Sequence, residues 1–229
     1  MQRTILATLI ALCAVLLAQT APVKLPPQVQ TRDSQAAMTP AAARVRLEEG
    51  NARFVANAMR PRDWTAKVVA TASGQYPFAA VLGCMDSRAP IEIAFDQGLG
   101  DVFGVRVAGN VVNDDELGSL EYAVKVGAKL IVVLGHTSCG AVKGAIDGVE
   151  MGNLTGLLAK IQPAVAKADC HDSHDDACVT KVAVENVRLA LSQIRERSPY
   201  LAEQIDAGTV GLVGALYDVG SGKVAFLEP

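Results

Sequence analysis

The chain has 229 residues, 50% of them hydrophobic and 20% charged, enough for one compact domain with a sizeable core. Aromatic residues make up only 4%, so that core has to be built from Val, Leu, Ile and Ala. The formal net charge is −3, with no basic run and no interleaving of aromatic and basic residues, which argues against a nucleic-acid partner.

Arg3 followed by an apolar run from Thr4 to Ala18 reads as a secretory signal, too short for a comfortable membrane span. Small residues in Ala18-Gln19-Thr20-Ala21 offer a cleavage point near residues 20–21, so residues 1–21 are expected to be removed. Export to a bacterial periplasm or the extracellular space follows; an uncleaved N-terminal anchor is the alternative. Leu12 is too bulky to precede a lipidated Cys13. Residues 22–38 lack periodicity and read as a flexible tether, leaving 39–229 as a single domain.

Thr39-Pro40 supplies an N-cap and a proline at the first helical position. A helix is predicted from about Ala41 into the Leu47–Arg60 region, with a break near Gly50, and a short one over Trp64–Ser73. Phe78–Cys84 and the run before His136 are nearly all apolar, as strands buried on both faces are. Val102–Val107 predicts another strand. Helices are predicted over Glu116–Val126, Ser138–Ile146, 153–168 with an interruption at Pro163, Val179–Arg197 and Tyr200–Ala207. Val210–Asp218 and Lys223–Leu227 flank Gly220-Ser221-Gly222 and predict a hairpin. The expected fold is α/β: a mostly parallel central sheet of about four strands, one added antiparallel strand and flanking helices.

Two runs carry the chemistry. Cys84-Met85-Asp86-Ser87-Arg88 ends the first strand, and His136-Thr137-Ser138-Cys139-Gly140 follows the central one. Two cysteines and a histidine leave a fourth zinc position open, which is a catalytic rather than a structural ligand set. The helix beginning near Cys139 favours its thiolate. Two thiolates also quench the ion's Lewis acidity, so water is harder to ionise there than on a three-histidine site. A further group beside the metal is needed, and Asp86 with Arg88 fits that need. Cys170 and Cys178 then remain. A disulfide is favoured by the expected export; a second metal site with His171 and His174, or unpaired surface thiols, are the alternatives.

Together the two runs resemble the signature segments of the β-class carbonic anhydrases, with the resemblance extending over roughly residues 40–229. It implies reversible hydration of CO₂ to bicarbonate and a proton, with one Zn²⁺ per subunit on Cys84, His136 and Cys139. It also implies two states for Asp86. In a closed one Asp86 is the fourth zinc ligand; in an open one Arg88 holds it off the metal, where it orients the nucleophile. We expect low pH to favour the closed state. Substrate contacts are implied for Gln75, reaching across from a dimer partner, for Phe103 as an aromatic wall, and for Gly140. Ala108 and Gly109 keep the neighbouring backbone small. N-terminal helices that reach over a neighbour imply a homodimer or a dimer of dimers, with no membrane association once the signal is removed. An allosteric subset of the family has a Trp three residues before the first zinc cysteine, with counterparts of Arg106 and Tyr122; here Val81 stands in the Trp position. Two rivals are a hydrolase of a CO₂ analogue such as carbon disulfide and a non-catalytic zinc-binding module. The presence of Asp86 and Arg88 argues against the latter.

Overall fold

The apolar runs that end at Cys84 and His136 have nothing polar to show to solvent, and they become two of the three interior strands of a five-stranded sheet. The structure, a computed structural model, describes residues 28–228. The expected signal and Cys13 lie outside that range. Strands β1 (Ala79–Gly83) and β3 (Leu130–His136) pair in parallel and are buried along their whole length. Parallel strands β2 (Val102–Arg106) and β4 (Gly211–Tyr217) flank them, and β5 (Val224–Phe226) closes the hairpin antiparallel to β4. The order is β2-β1-β3-β4-β5.

Alternation along the inner strands divides the core. Leu82, Ile131 and Val133 face helices α5 (Asp114–Lys125) and α9 (Asp176–Arg197). Val81, Leu130, Val132 and Leu134 face the other side, with α2 (Pro40–Val55) and α4 (Ile91–Ala94). Burying both sheet faces in this way is the α/β solution to an all-apolar parallel sheet.

Three expectations need correction. Part of the expected tether is structured: α1 (Arg32–Ala36) starts in a capping box between Thr31 and Ser34. Buried Gln35 then donates from Nε2 to the Pro77 carbonyl at 2.7 Å, which docks this segment on the sheet. The helix after Thr39-Pro40 does not break at Gly50. Gly50 is a contact point, where a Cβ would lie 1.8 Å from the Phe95 carbonyl oxygen. Neighbouring Asn51 donates to the carbonyls of Ala94 and Gly222, locking α2 onto α4 and the β4–β5 hairpin. Finally, Pro163 does not kink one helix. It sits in the first turn of α8 (Gln162–Ala168), separate from α7 (Gly152–Leu158).

Helices α3 (Trp64–Thr71), α6 (Gly140–Ile146) and α10 (Pro199–Asp206) complete the helical layers. Cys170 and Cys178 form a disulfide with a Cα–Cα distance of 5.5 Å, between the end of α8 and the first turn of α9. This removes the alternative of a second metal site. Among the described residues, no helix is long and apolar enough to cross a membrane.

Candidate active site

Parallel strands in register deliver their carboxyl ends to one edge. Gly83 pairs with Leu134, so Cys84, one residue beyond β1, meets the last residues of β3. His136 is the last residue of β3 and is 1% exposed. The chain then turns through Ser138, held at φ 51°, and places Cys139 as the N-cap of α6. The two sulfurs lie 3.9 Å apart, and the ligand atoms of Cys84, His136 and Cys139 all fall within 4.8 Å of one another.

The surroundings fix which atoms face inward. His136 Nδ1 lies 2.9 Å from the Thr137 carbonyl oxygen, which makes it the N–H donor and leaves Nε2 with its lone pair free. Nε2 is buried and has no hydrogen-bond partner, an uncompensated cost unless a cation takes the lone pair. The sulfurs point the same way. A hydrogen bond from Cys139 holds the Cys84 thiol down at about 4, and that same contact pushes Cys139 up. Backbone N–H groups of Val142 and Ala141 act to lower Cys139, as expected of a helix start, but the neighbouring Cys84 outweighs them. Two buried sulfurs at this spacing cannot both ionise without a cation between them. The donor set, two sulfurs and one imidazole nitrogen, therefore fits Zn²⁺.

Asp86 sits on the rim, with Oδ2 3.9 Å from His136 Nε2. It is held by Arg88: the backbone N–H donates to Oδ1 at 2.9 Å, Nε to Oδ1 at 3.0 Å and Nη2 to Oδ2 at 2.7 Å. The Arg88 guanidinium, above all, keeps the Asp86 carboxyl down at about 2. Arg88 Nη2 also donates to the Ser138 carbonyl at 3.2 Å, so a single side chain ties the two motif loops together.

Three further residues build the site. Arg106 donates from Nε to the Cys84 carbonyl at 3.0 Å and from Nη2 to the Asp86 carbonyl at 2.5 Å, clamping the loop from β2. Gly109 donates its N–H to Cys84 Sγ at 3.3 Å, and its own carbonyl accepts from Asn186 Nδ2 on α9 at 2.7 Å. Sequence reasoning attached Arg106 only to a regulatory pocket and assigned Asn186 no role. The signal for Asn186 was a polar residue on the apolar face of α9, beside Val182, Ala183 and Val187.

The expected substrate contacts divide. Gly140 opens α6 directly after Cys139, exposed and with open space beside its Cα. Gln75 is exposed and lies before β1, at the opposite end of the sheet from Cys84, beyond a five-residue strand spanning about 16 Å. Phe103 pairs with Ala80 in mid-strand on the edge strand β2 and packs edge-on against Tyr122 at 6.1 Å. Neither belongs to the cysteine–histidine cluster of its own chain. Val81 is fully buried in the core, at the position where the allosteric subset has its Trp.

Comparison with known proteins agrees with this geometry. Residues 79–224 match the family profile described as carbonic anhydrase. Carbonic anhydrase 2 of Mycobacterium tuberculosis is 40% identical over 195 residues, covering 82% of this chain and 93% of that protein. The carbonic anhydrase of Mycolicibacterium smegmatis is 38% identical over 195 residues, covering 81% and 92%. Among solved structures, the β-carbonic anhydrase CafA of Aspergillus fumigatus superposes with a TM-score of 0.65 at 28% identity, covering 82% of this chain and 92% of that one. A tetrameric β-carbonic anhydrase of Sordaria macrospora gives 0.63 at 29% identity, covering 69% and 84%. With the motifs on adjacent strand ends and relatives that match along most of its length, the chain belongs to the β-class carbonic anhydrases.

Proposed function

We propose that this enzyme hydrates CO₂ reversibly to bicarbonate and a proton at a Zn²⁺ held by Cys84 Sγ, His136 Nε2 and Cys139 Sγ. One observation carries the reading: three donor atoms converge within 4.8 Å, and one of them, the buried Nε2 of His136, has no other partner. When bound, zinc supplies the Lewis acidity that makes water a nucleophile near neutral pH. The chain's residues do the rest. The Thr137 carbonyl and the Gly109 N–H orient His136 and the Cys84 sulfur. Arg88 keeps Asp86 ionised and aimed, so that Asp86 accepts a hydrogen bond from the attacking water and turns its lone pair toward CO₂. Gly140, lacking a side chain at the start of α6, leaves room for substrate.

Gln75 and Phe103 are assigned to the site of a partner subunit. The edge of β2, unpaired among the described residues, and exposed Val68 and Leu99 beside Gln75 favour a homodimer or a dimer of dimers. Export with removal of residues 1–21 remains part of the proposal, and the Cys170–Cys178 disulfide supports it.

Stopped-flow CO₂ hydration with parallel zinc analysis is the test. Wild type should carry one zinc per subunit and turn over. Asp86→Ala should keep its zinc and lose at least about 10–100-fold in kcat/KM. A zinc-loaded wild type with no rate above background would overturn the reading.

A further inference from the structure

At the end of the sheet opposite the cysteine–histidine cluster, α2, α3 and the segment after α4 enclose a cleft of about 360 Å³. Its charges do not cancel. Asp96, fully buried, is taken by Arg53 and Arg62, whose closest contacts to it are 2.6 and 2.5 Å. Asp101 Oδ2 pairs with the Arg46 guanidinium at 3.3 Å and accepts from the Gly98 N–H at 2.8 Å. Asp63 caps α3 through the Ala66 N–H. That leaves two cations on the wall without a carboxylate partner among the described residues. The side chain of Arg60 has no hydrogen-bond partner there, and Lys67, only 3% exposed, reaches just the Gln28 carbonyl. Burial lowers the pKa of Lys67; Asp101 opposes this, while Arg62 and Arg46 add to it, so the cations crowd one another.

A second feature narrows the ligand. Asp101 Oδ1, also on this wall, is buried and has no hydrogen-bond partner. An oxyanion that keeps a proton satisfies both needs: its oxygens take Arg60 and Lys67, and its O–H donates to Asp101 Oδ1. A fully deprotonated oxyanion meets the same carboxylate with repulsion. We propose that this cleft is a binding site for inorganic hydrogen phosphate, separate from the catalytic pocket.

The experiment is calorimetric titration of the purified holoenzyme with inorganic phosphate, sulfate and methyl phosphate at pH 8 and constant ionic strength. Sulfate and methyl phosphate carry no proton at that pH. Saturable binding is expected for phosphate alone. Arg60→Gln, an exposed position, should weaken it about tenfold, as expected for one lost charge-assisted hydrogen bond, while CO₂ hydration stays unchanged. Asp101→Asn should bring sulfate binding level with phosphate; the wild-type selectivity stands as the measurement if that variant does not fold. Three outcomes would overturn the proposal: no saturable phosphate binding, sulfate or methyl phosphate binding as tightly as phosphate, or phosphate binding undiminished in Arg60→Gln. The last would place the anion outside this cleft.

Discussion

Gly109→Ala tests how the backbone holds the metal site. Gly109 has φ 68°, and a Cβ there would lie 2.6 Å from Ile161 Cδ1 and 3.2 Å from Ala141 Cβ. Ile161 is fully buried and has little room to yield. The left-handed backbone costs an L-residue about 1–2 kcal/mol, and overpacking a filled site about 1–3 kcal/mol. Partial relief by each of the other brings the sum to about 2–4 kcal/mol, or roughly 5–15 °C in Tm for a domain of this size. The shift also moves an N–H that supports Cys84 Sγ and a carbonyl that Asn186 holds, so zinc affinity should fall about 10–100-fold. Urea denaturation gives the stability, and competition with a chromogenic chelator gives the metal affinity. Gly140→Ala is the control: nothing lies within 4 Å of its would-be Cβ, and its stability should stay within about 0.5 kcal/mol of wild type. A Gly109→Ala protein as stable and as zinc-tight as Gly140→Ala would refute the reasoning.

Other expectations follow from the same contacts. Arg106→Met removes the donors that hold the carbonyls of Cys84 and Asp86, and kcat/KM should fall about tenfold or more with zinc retained, checked by stopped-flow and metal analysis. Burial acts to raise the pKa of Asp96, but hydrogen bonds from Arg53 and Arg62 outweigh it and hold the carboxyl below its usual value. Its stabilisation is therefore fully present above the unfolded pKa of about 3.9 and is lost as pH falls through the lower folded value. Urea midpoints should drop across that acid range in wild type and drop less in Asp96→Asn, which should lose about 3–5 kcal/mol at neutral pH. Cys170 and Cys178 are eight residues apart, so Cys170→Ser with Cys178→Ser should cost about 2–3 kcal/mol, read as a lower urea midpoint. A reductant should then shift the wild-type midpoint and leave the double variant where it is.

Much of the fold was legible because burial leaves a strong pattern. Two apolar runs ending in Cys84 and His136 read as buried strands, and the Gly-Ser-Gly turn marked the hairpin. Thr39-Pro40 placed the start of α2 correctly. The break expected at Gly50 failed because a glycine lowers local helix propensity whatever its surroundings, whereas here it lets the Phe95 carbonyl approach. The tether failed for a similar reason. A short segment with no apolar periodicity looks unstructured, yet a capping box and the buried amide of Gln35 hold it to the sheet.

For this protein the sequence by itself determined the reactive set: two thiols and an imidazole at strand ends, with Asp86 and Arg88 a fixed distance beyond the first cysteine. Those choices are local and chemical, so they survive translation into one dimension. Only the tertiary structure decided how the set is held. Arg106 reaches back from β2, Asn186 arrives from a helix 77 residues beyond Gly109, and Arg88 bridges to Ser138 on the other loop. Each of these contacts joins residues far apart in the chain. No local pattern encodes such a contact; it exists only because the packed sheet brings those carbonyls within reach of a donor from another element.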